Sequence, residues 1–288
     1  MAETPTCPKC GDSAQRYAYL EEENRLRLTC CRLTRGASAS RSRRAHVYEI
    51  RRGQWQTPRG RSVELVYRAD TNDWNVISSV MAPHDEYGLA GLPELEGWAL
   101  DLGAHIGAVT VALLADHPEL AVFAVEPVPP NMEMFWCNAQ PYADRIQGWC
   151  AAIGPPDVAT TVVRYGYRGT ELAEHHAYIG NSMLVYPEGG ALEHEEIEVP
   201  VLSLGTLDGW RLALGYAGRA SFTKLDTEGG EWDFLAGGDP RILGRIHGEW
   251  HPTGGHVQAD LVALLDATHE LTFSGPVAGP GGFVAVPR

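Results

Sequence analysis

The chain has 288 residues, 44% of them hydrophobic, with 8 Trp, 11 Tyr and 6 Phe. That excludes wholesale disorder and suits one full α/β domain with a small appendage. The net charge of −14 is unevenly spread: residues 1–68 hold 14 Lys and Arg against 7 Asp and Glu, and residues 69–288 hold 9 against 30. The longest apolar stretch, Trp98 to Ala115, is broken by Asp101 and His105, so no membrane span is expected. The Met-Ala-Glu-Thr-Pro start has no basic residue leading into an apolar run. No secretory signal is expected, and a cytoplasmic location is the expectation that follows.

The basic N-terminal quarter carries four of the six cysteines. Cys7-Pro-Lys-Cys10-Gly11 has the form of a zinc knuckle, and clustered thiols in a cytosolic chain read as metal ligands before disulfides. A closed structural zinc site needs four ligands. The second half here is the adjacent pair Cys30-Cys31, which cannot easily serve one ion, so His46 is a substitute for one of them. A zinc site on Cys7, Cys10, Cys30 and Cys31 and a metal-free ribbon both stay open. Residues 36–46 are small and basic without periodicity and read as a linker, closing a first unit at 1–46. Residues 47–68 alternate loosely and predict a hairpin around Gly53 to Gly60, within an extension at 47–75.

From residue 76 to 288 strands alternate with helices. Strands are predicted at Trp98–Leu102, Ala121–Val125, Ile146–Trp149, Phe222–Asp226, Arg245–Glu249, Glu270–Phe273 and Phe283–Val286, the last two joined by a Gly/Pro-rich turn. Helices are predicted at Ala108–Ala115, Asn131–Asn138 (entered through Pro129-Pro130), Gly230–Ala236 and Val257–Ala267. Residues 155–200 are less regular, with strands expected at Thr161–Tyr165 and Ile197–Val201. The order predicts a parallel, doubly wound sheet.

Gly103 and Gly107, in Asp101-Leu-Gly-Ala-His-Ile-Gly107, remove side chains where a ligand must approach the backbone, and the next helix aims its N-terminus there. Glu126 ends the next strand, where an acidic residue accepts hydrogen bonds from ribose hydroxyls. Turn, helix and acid together point to a ribose-bearing cofactor. The turn lacks the full G-x-G-x-x-G, which weighs against NAD.

Three segments resemble the signature blocks of FkbM-family methyltransferases: Leu100-Asp-Leu-Gly-Ala-His-Ile-Gly107, Phe123-Ala-Val-Glu-Pro-Val-Pro-Pro-Asn131 and Lys224-Leu-Asp-Thr-Glu-Gly-Gly-Glu231. The stretch Asp73 to Tyr87 resembles the segment preceding the first block, and Val199–Leu207 and Ile246–His251 follow in the expected order. The likeness covers residues 70–255; Gly230 stands where the family is expected to have alanine. It implies a Rossmann-like class I methyltransferase fold, with the Cys-bearing basic segment appended, and S-adenosylmethionine as methyl donor. It further implies that Asp101, Gly103 and Gly107 line the methionine part, and that Ala104, His105 and Pro127 also touch the cofactor. Glu126 would hold the ribose, and Cys150 or Ala151 would sit near the adenine. Glu86 and Tyr87 would close over the cofactor, with Asp226 beside it.

Asp226 and Glu228 end one strand, and Glu249 and His251 end the next. His251 is the first candidate for a general base, because an unperturbed imidazole titrates near neutrality. Asp226 is the second, with Glu228 beside them. A metal on Asp226, Glu228 and His251 is compatible by ligand type but is not the favoured reading. Residues 155–200, with Tyr165, Tyr167, His175, His176, Tyr178, Asn181 and Ser182, are the expected place of acceptor selection.

The leading expectation is O-methylation of a small-molecule acceptor, a sugar or secondary metabolite, in a biosynthetic role. A second is modification of a nucleic acid or peptide captured by the twelve arginines between Arg25 and Arg68. A third is a binding protein with the fold but no catalysis. Replacing Asp101 or Glu126 would abolish activity under the first two and leave partner binding intact under the third. No membrane partner is expected, and self-association stays open.

Overall fold

The computed structural model describes residues 17–20, 25–28, 49–69, 71–167, 193–275 and 280–288. Cys7, Cys10, Cys30, Cys31, His46 and the 36–46 linker lie outside these residues, as do 168–192. In the N-terminal quarter, β1 (Tyr17–Leu20) and β2 (Arg25–Leu28) pair antiparallel. The expected hairpin follows as β3 (Ile50–Gln56) and β4 (Ser62–Arg68). Alternate β4 residues Val63 and Leu65 turn inward and join the main core. The backbone of Val66 exchanges hydrogen bonds with the Asn138 amide at 2.7 and 3.1 Å, so a helix side chain pairs part of this open strand edge.

Helix α1 (Asp73–Val80) was not among the predicted elements. It crosses the boundary expected between residues 75 and 76, so hairpin and body are continuous through it. The strands of the central sheet and its helices then alternate: β5 (Gly97–Leu102), α2 (Ala108–Asp116), β6 (Leu120–Val125), α3 (Pro129–Ala139) and β7 (Ile146–Trp149). After the short β8 (Ala152–Ile153) comes the antiparallel pair β9 (Thr160–Tyr167) and β10 (Glu193–Leu202), and β10 also pairs with β8. The chain closes with α4 (Leu204–Ala213), β11 (Phe222–Leu225), α5 (Glu231–Ala236), β12 (Arg245–Trp250), α6 (Gln258–Leu265), β13 (His269–Ser274) and β14 (Gly281–Pro287). Helix α3 starts two residues before the expected Asn131, because Pro129 and Pro130 themselves form its first turn. Helix α4 was not predicted, since Gly205 and Gly209 lower its propensity; Ser203 starts it by accepting from Thr206 N at 3.1 Å.

The strand order is β13-β14-β12-β11-β5-β6-β7. All six residues of β6 are buried, because helices cover both faces. Leu120, Val122 and Ala124 face the core shared with α1, α2 and α3. Phe123 and Val125 face the opposite core, built with α4, α5 and α6. This is a doubly wound α/β architecture. One feature corrects the all-parallel expectation: β14 runs antiparallel to both β12 and β13. Too few residues separate β13 from β14 for a crossover, so the chain can only turn back on itself.

Candidate active site

The carboxyl ends of β5, β6 and β11 open onto one cavity of about 320 Å3, within the range of roughly 300–1,000 Å3 common for small-molecule sites. Gly103, Ala104 and His105 line it after β5, Glu126 and Pro127 after β6, and Asp226, Thr227 and Glu228 after β11. Ala151, Ala152 and Ile153 also line it, as do Glu86, Tyr87 and residues of α1.

Gly103 has φ +83°, and a Cβ there would stand 1.9 Å from the Asp226 carbonyl oxygen. Only glycine lets the two strand ends approach this closely. Lys224 fastens the approach: its buried ammonium donates to the Gly103 carbonyl at 2.6 Å and lies 3.4 Å from Asp226 Oδ2. Burial acts against that charge, but Asp226, Asp101 and Glu126 raise the lysine pKa above its ordinary value. Gly103→Ala is therefore expected to abolish ligand binding and to cost stability, measured by calorimetry and thermal melting.

Glu126 is 5% exposed, and burial raises its pKa against three hydrogen bonds. Val128 N and Asn131 Nδ2 donate to Oε1 at 2.9 and 3.2 Å, and His105 N donates to Oε2 at 2.9 Å. His105 adopts φ +50° to bring its amide there. Behind Asn131 stands Arg68, which donates to Asn131 Oδ1 at 2.7 Å and to both oxygens of Asp73 at 2.7 and 2.8 Å. Hairpin and α1 thus reach the cavity acid through buried side chains.

Three residues expected to line the cavity do not. Asp101 is fully buried and takes the Thr110 hydroxyl at 2.6 Å, so it braces the turn from below. Gly107 faces the Phe135 ring at the start of α2. Cys150 turns its thiol to the Pro127 carbonyl at 3.7 Å, and burial pushes its pKa up to about 12. Conversely, Lys224, Thr227, Asn72 at the N-cap of α1 and the α1 residues Asn75, Val76, Ser79 and Val80 line the cavity but were not singled out. The α1 set recurs at helical spacing, a stripe legible in the sequence once a helix is assigned.

Beside the cavity lies a second constellation. His251 Nδ1 is 2.9 Å from Glu231 Oε1, and its Nε2 is 3.4 Å from Glu228 Oε2 and 3.7 Å from Glu249 Oε2. Burial alone would lower the imidazole pKa, but the Glu231 hydrogen bond and the charges of Glu231, Glu228 and Asp226 push it up to about 9. At neutral pH His251 is an imidazolium. Its expected role as the base assumed an unperturbed ring. Glu228 lines the cavity at φ +56°, and burial, reinforced by Asp226, Glu249 and Glu231, pushes its carboxyl up to about 7. The base nearest neutrality on the cavity wall is therefore Glu228. Asp226 is held below its ordinary value: burial opposes this, but the Lys224 charge and the Tyr87 hydroxyl at 2.9 Å override it. Ligand atoms of Asp226, Glu249 and His251 lie within 4.8 Å of one another, so geometry substitutes Glu249 for Glu228 in the metal set that residue type allowed. Asp226 Oδ2 already holds the Tyr87 hydroxyl and faces the Lys224 ammonium, which leaves it poorly placed for a cation.

Of the expected acceptor-selecting residues, Tyr165 and Tyr167 lie on β9, whereas His175, His176, Tyr178, Asn181 and Ser182 fall outside the described residues.

Residues 101–274 match the model of the methyltransferase FkbM domain. The chain belongs to the FkbM methyltransferase family and is an S-adenosylmethionine-dependent methyltransferase. Among curated proteins none matches it. Among solved structures it is similar to the precorrin-6y C5,15-methyltransferase of Geobacter metallireducens, with 13% identity, TM-score 0.38, and 68% of this chain and 82% of that one covered. It is also similar to an rRNA methylase of Streptococcus thermophilus, with 10% identity, TM-score 0.39, and coverage of 71% and 95%. A third likeness is to the N-terminal domain of human METTL16 in complex with SAH, with 10% identity, TM-score 0.34, and coverage of 66% and 61%.

Proposed function

We propose that the chain methylates a hydroxyl oxygen of a small molecule, a sugar or secondary metabolite, with S-adenosylmethionine held in the cavity described above. The observation that carries this reading is Glu228, a carboxyl on the cavity wall pushed up to about 7. A hydroxyl nucleophile must lose a proton as it attacks, and a base poised near neutrality takes it best. S-adenosylmethionine supplies an electrophilic methyl carbon whose bond to sulfur breaks as the oxygen–carbon bond forms. Glu126 accepts the ribose hydroxyls, the Gly103–His105 turn presents backbone to the methionine part, and Ala151 to Ile153 flank the adenine. Glu228 receives the proton, and His251, held by Glu231, offsets the carboxylate charge gathered around it.

The acidity of residues 69–288 favours a small acceptor over a polyanion. Calorimetry with S-adenosylmethionine tests the donor, and labelled donor with a cell extract identifies the acceptor by the molecule that gains label. No binding would overturn the reading; label on RNA or protein would overturn the small-molecule part. Glu126→Ala is expected to weaken donor binding by about 100-fold, since it strips two hydrogen bonds to a buried charged acceptor.

The excess of basic residues in 1–68 supports a second reading, in which that part captures a nucleic acid or peptide. Binding to RNA or DNA that falls steeply with salt would favour it. A zinc ion on Cys7, Cys10, Cys30 and Cys31 remains a proposal from residue type alone, tested by the metal content of the purified chain.

A further inference from the structure

His247 stands on β12, is 8% exposed, and belongs to none of the groups placed around the donor or the transferred methyl group above. Its ring meets the edge of Phe222 with centroids 5.3 Å apart, and its Nδ1 is hydrogen-bonded to the backbone carbonyl of Tyr87. A carbonyl only accepts, so Nδ1 carries the proton and Nε2 is a bare lone pair. That Nε2 is buried with no hydrogen-bond partner among the described residues. Leaving a buried polar atom unpaired is costly, and a phenylalanine would fill the same space without that cost. What histidine adds here is its single N–H to Tyr87.

Tyr87 lies in the segment between α1 and β5, which has no strand or α-helix of its own. Local bonds shape it: Asp85 accepts from Leu89 N and Ala90 N, and Glu86 N donates to Ser79 O. Among the described residues, two hydrogen bonds tie the stretch from Ala82 to Gly91 to the central sheet and its strand ends, and both are at Tyr87. Its carbonyl takes His247, and its hydroxyl gives to Asp226 Oδ2 at 2.9 Å. Between these ties the Tyr87 ring lines the cavity, with the Lys224 ammonium 5.5 Å from its centroid.

We propose that His247 is a positioning residue: by holding the Tyr87 carbonyl it fixes the Tyr87 ring and hydroxyl over Lys224 and Asp226, and thereby sets the affinity of the cavity for the methyl donor. The proposal rests on the reading of that cavity as the S-adenosylmethionine site. His247→Phe keeps the ring volume and loses the donor, whereas His247→Asn keeps an N–H near the position of Nδ1. Calorimetry with S-adenosylmethionine is expected to show about a tenfold loss of affinity in His247→Phe, of the order of one hydrogen bond, and recovery to within about threefold in His247→Asn. In a Tyr87→Ala background, His247→Phe is expected to change affinity less than about twofold, because its route of action is gone. Initial rates should show the loss in KM for the donor with kcat little changed. In the protein without ligand, hydrogen exchange of residues 82–91 should quicken in His247→Phe while β5 and β11 stay protected.

Unchanged donor affinity in His247→Phe, or equal effects of that substitution with and without Tyr87, would overturn the proposal while leaving the donor site standing. Failure of the wild-type chain to bind S-adenosylmethionine would overturn the donor site and this proposal together. The exchange measurement keeps the two apart, because it reads the His247–Tyr87 tie without any ligand.

Discussion

Replacing Glu228 by Gln is expected to slow methyl transfer by about 100- to 10,000-fold, the usual contribution of a positioned base, while donor affinity stays within a few-fold of wild type. The amide keeps the shape of the side chain and its left-handed backbone position but cannot take a proton. The pH profile supplies the sign. The carboxylate is the active form, so the wild-type rate falls as pH drops through about 7, the value to which burial and neighbouring carboxylates push Glu228. In Glu228→Gln that acidic limb should vanish. His251→Gln should move the limb to higher pH, since the imidazolium is what lowers the Glu228 pKa against its acidic neighbours. A Glu228→Gln enzyme with wild-type rates would remove Glu228 from the chemistry. A limb that does not move in His251→Gln would remove the coupling between the two.

The same imidazolium has a consequence for folding. Its pKa is raised from the ordinary 6.5 to about 9. The stability it contributes is therefore complete below about 6.5 and is lost as pH rises through about 9. Thermal melts of wild type and His251→Gln should converge above that range.

Asp73→Ala is expected to produce the largest loss of stability, about 3–5 kcal/mol, because it leaves the Arg68 guanidinium buried without the carboxylate that neutralises it. Both side chains are almost inaccessible, at 2% and 0% exposure. For a chain of this size that is a fall in melting temperature of about 5–8 °C. The double variant Arg68→Met with Asp73→Leu should be markedly milder, since it removes both charges together. Acid sensitivity provides an independent check. Burial pushes the Asp73 carboxyl up, but the Arg68 charge and hydrogen bonds override this and hold it below the ordinary 3.8. Its contribution is present above 3.8 and is lost as pH falls through the lower folded value. Because Arg68 also holds Asn131, and Asn131 holds Glu126, donor affinity should fall in Asp73→Ala even at temperatures where the protein is folded. Full donor affinity in that variant would show that the buried chain of bonds carries stability without shaping the site.

By itself the sequence determined the strands of the sheet and several residues that line the cavity. The strands from Trp98 to Val286 are short buried runs separated by turn residues, and local composition marks such runs well. Gly103 and Glu126 sit at strand ends on the cavity, where a glycine turn and a strand-end acid announce themselves by residue type and spacing. Helices α1 and α4 were missed because they are short, and their stability comes from packing and from caps such as Ser203 more than from a long periodic pattern. Only the tertiary structure decided the rest. It turned Asp101, Gly107 and Cys150 away from the cavity, since a turn has two sides and the sequence does not say which one faces the ligand. It set the titration of His251 and Glu228, because a pKa belongs to a neighbourhood, and the neighbourhood of His251 is four carboxylates drawn from two strand ends and a helix. It also brought Arg68 and Asp73 behind Glu126 and His247 behind Tyr87, 63 and 160 residues apart along the chain for Arg68–Asn131 and His247–Tyr87. Such pairs leave no periodic trace in a sequence, because only the folding of the sheet makes them neighbours.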